Sequence, residues 1–274
     1  MDYIQYKVNC AQELTDILIA LFGEYPFDTF EEDESGMSAY IPAQEEDEAT
    51  KNAIQVLQQQ FDFQYERIFV PAQNWNEVWE SNFEPIVVDN FCGLRAEFHP
   101  PISHVKHELL IQPKMAFGTG HHATTYQMIQ QMQFIDFTDK RVLDYGCGTG
   151  VLAMLAAKEG AGFVEAIDID EWAYENTLEN ININNSAAVH VVQGDLALVK
   201  DKTYDVVLAN ITFNVISTSL EALSLMIPSG GWLLTSGFYL GHGKMLMLQA
   251  TDYGFQAVRE SQRNDWACVV FQKQ

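Results

Sequence analysis

The chain is predicted to be an α/β protein. A mostly parallel, doubly wound sheet of seven strands ends in an antiparallel hairpin, and a small α+β unit of ferredoxin-like layout precedes it. Three observations carry this expectation. The segment Val142-Leu-Asp-Tyr-Gly-Cys-Gly-Thr-Gly-Val-Leu152 reads as an apolar strand, a glycine-rich turn and a helix start. From about residue 126 strand and helix patterns alternate, which implies parallel pairing. Two final strands flank the turn-rich Gln262-Arg-Asn-Asp265.

In chain order, Tyr3–Val8 alternates as a strand, and Ala11–Phe22 places Leu14, Ile17, Leu18 and Leu21 at helical spacing. Thr29–Glu34 and Met37–Ile41 flank a Ser35-Gly36 turn. Glu45–Gln60 reads as a helix with acids at its positive end, and Gln64–Val70 as a strand before Pro71. This strand–helix–strand–strand–helix–strand order defines a first domain at 1–70. Residues 71–85 read as a linker helix, with Trp75, Trp79 and Phe83 on one face as a packing stripe. The second domain, 86–274, opens with strands Ile86–Val88, Leu94–Phe98 and Glu108–Ile111. Parallel strands are expected at Arg141–Asp144, Val164–Asp168, Ala188–Gln193, Val206–Asn210 and Gly231–Ser236, and helices at Gly150–Lys158, Glu171–Asn185 and Val215–Met226. Phe255–Ser261 and Ala267–Gln272 form the closing hairpin.

Composition narrows the function class. The formal charge is -23, and residues 1–70 alone carry fifteen acids against Lys7, Lys51 and Arg67. Such a chain has no electrostatic footprint for nucleic acid or an anionic membrane, and attracts a basic partner. No apolar run approaches a membrane span, and Met1-Asp-Tyr-Ile-Gln5 lacks the form of a signal peptide. Cys10, Cys92, Cys147 and Cys268 are scattered without a C-x-x-C pair. The reading is a reduced, cytoplasmic protein with no zinc site and no disulfide framework.

In a doubly wound sheet ligands bind beyond the carboxyl ends of the strands, where the strand order reverses. The first such end is Asp144-Tyr-Gly-Cys-Gly-Thr-Gly150, where Gly146 and Gly148 let backbone approach a ligand. The spacing is G-x-G-x-G, whereas the dinucleotide fingerprint is G-x-G-x-x-G. An acid at its mouth, Asp144, repels a pyrophosphate and suits a cationic ligand with an amino-acid end. S-adenosylmethionine is such a ligand. The second end is Asp168, a carboxylate able to accept both hydroxyls of a ribose. Asp170 then reads as a helix N-cap. Asp195, after Gly194, is a candidate for the adenine amino group and equally for a turn aspartate. Asn210 ends the fourth strand, where many amine methyltransferases carry [ND]-P-P-[YF]; here the segment is Asn210-Ile211-Thr212-Phe213, without prolines.

Ahead of the glycine turn stands Pro113-Lys-Met-Ala-Phe-Gly-Thr-Gly-His-His-Ala-Thr-Thr125. This loop can close over a cofactor, with Phe117, Thr119 and Thr125 as candidate contacts. His121 and His122 lack the spaced partners of a metal site. His122 reads as a loop-holding histidine or as a catalytic base. At this segment the chain resembles the PrmA family, bacterial methyltransferases of the large-subunit ribosomal protein L-11, whose signature is similar to P-G-M-A-F-G-T-G-x-H-x-T-T. The similarity continues through V-L-D-Y-G-C-G-T-G-V-L-A, A-I-D-I-D and L-A-N-I. Lys114 stands in place of the usual glycine, Ala123 of a frequent proline, and Val215-Ile216 of a common Pro-Leu pair. The resemblance implies a class I methyltransferase domain, S-adenosylmethionine contacts at Thr125, Gly146, Asp168 and Asn210, and methyl transfer to lysine and N-terminal amines. It assigns the acidic first domain to substrate recognition. Methylation of another protein or a small molecule is the nearest alternative, and a nicotinamide-dependent oxidoreductase the alternative of a different class.

Overall fold

The structure, a computed structural model, describes residues 2–33, 35–71, 83–112 and 118–274. The chain divides into two compact units, 1–75 and 76–274. The first is a four-stranded antiparallel sheet of order β2-β3-β1-β4, built from β1 (Tyr3–Cys10), β2 (Thr29–Asp33), β3 (Gly36–Pro42) and β4 (Phe63–Val70). Its helices, α1 (Gln12–Phe22) and α2 (Glu48–Gln60), connect the strands in the ferredoxin-like order. Alternation along β1 and β3 sends Ile4, Tyr6, Val8, Met37, Ala39 and Ile41 into one core with Leu18, Phe22, Ile54 and Leu57 of the helices. In α1 the buried positions are Thr15, Leu18 and Phe22, and Ile17 is exposed, so the buried stripe is rotated by about a quarter turn from the expected one. Asp47 caps α2 by accepting from the Thr50 N–H at 2.7 Å. The neighbouring Glu46 carboxylate is buried and accepts from Tyr6 Oη at 2.6 Å and from Nε and Nη2 of Arg67. Arg67 holds that carboxyl below its ordinary range. The expected linker helix lies outside the described residues except at its end, where Phe83 is buried against His99 and His121.

The second unit opens with a small sheet of β5 (Ile86–Val88), β6 (Cys92–Arg95) and β7 (His107–Leu110). Here β6 starts and ends earlier than the expected Leu94–Phe98. Arg95 is buried, pairs with Glu108 and donates to the carbonyls of Ala96 and His99, which draws the chain out of the strand.

The main sheet contains β8 (Arg141–Tyr145), β9 (Phe163–Asp168), β10 (Val189–Gln193), β11 (Val206–Asn210), β12 (Trp232–Tyr239), β13 (Phe255–Arg263) and β14 (Trp266–Lys273), in the order β10-β9-β8-β11-β12-β14-β13. The first five in sequence are parallel, and β14 runs antiparallel to both β12 and β13. Alternate residues of each buried strand serve opposite layers: Val206 and Leu208 face one core, Val207 and Ala209 the other. The layers are supplied by α3 (Ala123–Met132), α4 (Val151–Lys158), α5 (Glu171–Asn184), α6 (Phe213–Met226) and α7 (Leu240–Thr251). Helix α7 was not foreseen: Leu240-Gly-His-Gly243 opens it with two poor helix formers, and its burial of Leu246 and Ala250 against β13 and β14 outweighs that propensity. Among the described residues no helix is long and apolar enough to cross a membrane.

Sheet order reverses between β8 and β11, which opens a crevice beyond their carboxyl ends. Behind it, β9 carries the buried Glu165, held by Lys202 at 2.7 Å and by the Tyr204 hydroxyl. Hydrogen bonds to a buried charge are among the stronger ones, on the order of 1.5–3 kcal/mol. Tyr204→Phe removes one without changing shape, and denaturant unfolding should show a loss of about 2 kcal/mol at neutral pH.

Candidate functional site

The site is built around the turn between β8 and α4. Gly146 and Gly148 have φ of +74° and +56°, backbone that side chains adopt only under strain. Through these conformations the N–H groups of Gly146 and Cys147 reach the carbonyl of Ile167 at 2.8 and 3.1 Å, which ties the turn to β9. The Gly148 N–H donates to Asp168 Oδ2 at 3.0 Å, and its carbonyl accepts from the Thr177 hydroxyl. A buried polar row on α5 braces the other side: Asn180 Nδ2 donates to the Thr149 carbonyl, and Asn184 pairs with the backbone of Leu110. The Thr149 hydroxyl donates to the Gly118 carbonyl, joining the loop before α3 to the same turn.

Asp144 stands beneath this turn rather than at its mouth, which corrects its expected place. It is 1% exposed and does not line the crevice. Its Oδ2 accepts from the Ala153 N–H in the first turn of α4, where the helix dipole favours a carboxylate. Its Oδ1 is buried without a partner. Burial pushes the Asp144 pKa up to about 7; the Ala153 bond opposes this and the charge of Asp168 adds to it.

The crevice is a cavity of about 570 Å3, within the range of small-molecule sites. Gly146, Gly148, Asp168 and Asn210, all expected from the sequence, line it together. Asp168 Oδ1 accepts from the Asp170 N–H and Oδ2 from Gly148, and a carboxylate has lone pairs for two further donors, such as a diol. Asp170 also caps α5, accepting from the N–H groups of Trp172 and Ala173. Asp195 lies outside the lining: it is exposed and caps the 3-10 turn at Leu196–Leu198, while Gly194 faces the cavity. Thr125 is buried beside the cavity, in a small recess shared with Gly146 and Asn210, and accepts from Asn210 Nδ2 at 3.0 Å. Thr119 is buried with its hydroxyl against His121 Nδ1, away from the lining. Phe117 and Lys114 lie outside the described residues. His122 caps α3, accepting from the Thr124 N–H, with its ring edge-on to Trp266. Burial lowers its pKa and favours the neutral ring.

Among the lining residues that sequence reasoning missed are Ile169, Trp172, Trp266 and Gly237. Ile169 and Trp172 are 74% and 80% exposed, and form an apolar rim beside Asp168 where a flat heterocycle could lie. Their signal was present: apolar residues on either side of the acids at a predicted strand end. Trp266 arrives from β14, stacked on Tyr239 at 4.4 Å, and Gly237 from an irregularity in β12. Both come from elements distant in sequence, and no local pattern marks them.

The raised pKa of Asp144 gives a pH signature. The unfolded carboxyl titrates near 3.9, so between about pH 4 and pH 7 the folded chain binds the extra proton. The associated stability is complete below the unfolded pKa and is lost as pH rises through the folded one. Asp144→Asn keeps an acceptor for Ala153 and removes the titration. Its stability relative to the parent should rise from pH 4 to pH 8, by as much as about 4 kcal/mol, in denaturant melts at each pH.

The comparisons with known proteins agree with this architecture. The family model described as Ribosomal protein L11 methyltransferase (PrmA) matches residues 14–274. The chain is 37% identical to the ribosomal protein L11 methyltransferase of Bacteroides thetaiotaomicron across 99% of both chains. It is 40% identical to that of Porphyromonas gingivalis, across 99% of this chain and 98% of the relative. A solved ribosomal protein L11 methylase from Lactobacillus delbrueckii subsp. bulgaricus shares the fold, with a TM-score of 0.65 over 70% of this chain and all of its own at 22% identity. With near-complete coverage by sequence and a main sheet of the same class, the chain belongs to the ribosomal protein L11 methyltransferase family.

Proposed function

We propose that the protein transfers methyl groups from S-adenosylmethionine to lysine and N-terminal amines of ribosomal protein L11 in the cytoplasm. One observation carries the chemistry: Asn210 Oδ1 is buried at the cavity wall with no hydrogen-bond partner. A buried acceptor left unpaired is costly, of order 1–3 kcal/mol, and an incoming amine N–H relieves that cost. Thr125 takes up Asn210 Nδ2, so the amide presents its oxygen, not its N–H group, to the acceptor.

The cofactor fits the residues present. Asp168 has spare lone pairs for the ribose hydroxyls, Ile169 and Trp172 offer apolar faces to the adenine, and Gly146 and Gly148 let backbone approach the amino-acid end. When bound, S-adenosylmethionine supplies an electrophilic methyl on a sulfonium. Asn210 orients the amine, and an accepted N–H leaves the nitrogen lone pair free to point along the line of transfer. Among the described residues, the ionisable ones lining the cavity are Tyr145, Asp168 and Asp170, and none is assigned as a base. The acceptor loses its proton to solvent before transfer, at a cost of roughly 4 kcal/mol for an ordinary lysine at pH 7.5. Apolar walls beside a cation lower that cost by disfavouring the ammonium.

The first unit supplies the docking platform for a basic protein. Edge strand β2 carries Glu31, Glu32 and Asp33, all exposed. Acids on an edge favour encounter with a cationic chain and deter pairing with a second copy.

Asn210→Ala should leave S-adenosylmethionine affinity within a few-fold of the parent and lower kcat roughly a hundredfold, as expected when an acceptor loses its orientation. Calorimetry and steady-state methylation of ribosomal protein L11 read the two quantities. Neutralising the edge through Glu31→Gln, Glu32→Gln and Asp33→Asn should raise KM for the ribosomal protein several-fold and flatten its salt dependence. An unchanged KM across a salt series would remove β2 from the docking surface.

A further inference from the structure

Ile211 follows β11, and the two neighbours of β11 in the sheet are β8 and β12. Each neighbour presents a glycine to it. A Cβ on Gly146, just past β8, would lie 2.2 Å from Ile211 Cγ2. A Cβ on Gly237 in β12 would lie 2.2 Å from the carbonyl oxygen of Ile211, 2.7 Å from its carbonyl carbon and 2.9 Å from its nitrogen. Gly237 has φ of +97° and sits where the β12–β14 register slips between Ser236 and Phe238. The side chain of Ile211 therefore rests on one glycine and its backbone on the other, and both glycines line the cavity.

This arrangement answers a deficit in the sequence. Asn210-Ile211-Thr212-Phe213 lacks the prolines that stiffen the corresponding tetrapeptide in other amine methyltransferases, and Thr212 begins α6 without a side-chain cap. Two residues, Ile211 and Thr212, separate β11 from α6, and proline supplies none of their rigidity. We propose that Ile211, clamped between Gly146 and Gly237, is the positioning residue that holds the Asn210 backbone in register for methyl transfer, in place of proline. The proposal rests on the reading of Asn210 as the acceptor-orienting group.

The two holds on Asn210 are complementary. Thr125 and strand pairing with Ser236 fix the near side of the residue, its amide and its β11 backbone. The clamp fixes the peptide that follows. Without it the last residue of β11 is free to rotate about its own ψ, and Oδ1 moves relative to the transferable methyl. Transfer requires reacting atoms within about 3–3.5 Å and aligned, and displacement by about 1 Å costs on the order of a hundredfold in rate. Cofactor affinity depends instead on Asp168 and the glycine turn, which the β12 side of the clamp does not touch.

Four variants test this by calorimetry with S-adenosylmethionine and steady-state methylation of ribosomal protein L11. Gly237→Ala should keep cofactor affinity within roughly threefold and lower kcat at least about tenfold, with little change in KM for the protein substrate. Ile211→Gly frees the same backbone without crowding β12, and stands as the test if Gly237→Ala does not fold; it should show the same split. Ile211→Val keeps a γ-methyl for Gly146 and should recover most of the lost turnover. Parent-like kcat in folded Gly237→Ala or Ile211→Gly overturns the clamp, as does a loss of cofactor affinity as large as the loss of kcat. Asn210→Ala separates the layers: if it too turns over like the parent, the acceptor reading fails and takes the clamp with it. If it is inactive while the clamp variants are not, the clamp alone fails.

Discussion

Between Tyr145 and Val151 the chain must pass from a buried strand to a buried helix while keeping one side of the turn bare. Left-handed glycines make the reversal, and the Gly148 N–H donated to the Asp168 carboxylate locks it to the end of the next strand. That bond aligns two strand ends that border the cavity. It also occupies one lone pair of Asp168 and leaves others for a ligand. The remaining supports converge on the same turn: Thr177 and Asn180 from α5, Thr149 to the loop at Gly118, and Asp144 from below.

The supports divide into those that face the ligand and those that face the protein. Asp168 and Asn210 sit at the cavity wall with acceptor capacity to spare. Asp144, on the neighbouring strand β8, is sealed in the interior, where burial pushes its pKa up to about 7. Both acids end or nearly end a strand of the same sheet, and the difference lies in which side of the backbone turn each occupies. A carboxylate on the solvent side binds donors brought by a ligand; one on the core side can satisfy only the helix N-terminus beneath it.

Beyond the end of β11 the chain is held by close packing. Gly146 and Gly237 matter there for the atoms they lack, since any side chain would displace Ile211. The wall beyond them is aromatic, Trp266 on Tyr239, anchored by Gln127 to the Trp266 carbonyl. A wall of this kind excludes water without competing for the hydrogen bonds of an amine.

The layer order, the parallel sheet with its terminal hairpin, the ferredoxin-like first unit, and the glycine turn and strand-end acid that line the crevice were legible in the sequence. These are written in local signals: apolar runs ending in glycine or acid, and helical or alternating spacing. Gly146, Gly148, Asp168 and Asn210 were legible because strand ends in such a sheet converge on one crevice. Tertiary structure alone decided the inward placement of Asp144, the retreat of Asp195 to a turn cap, helix α7 despite its glycines, and the arrival of Trp266 and Gly237 at the cavity. Each of these depends on which backbone face meets which neighbour across residues far apart in the chain, such as Gly237 against Ile211. A local pattern carries no record of that, because it fixes the direction of a strand and the spacing of its side chains, and not what packs beyond its end.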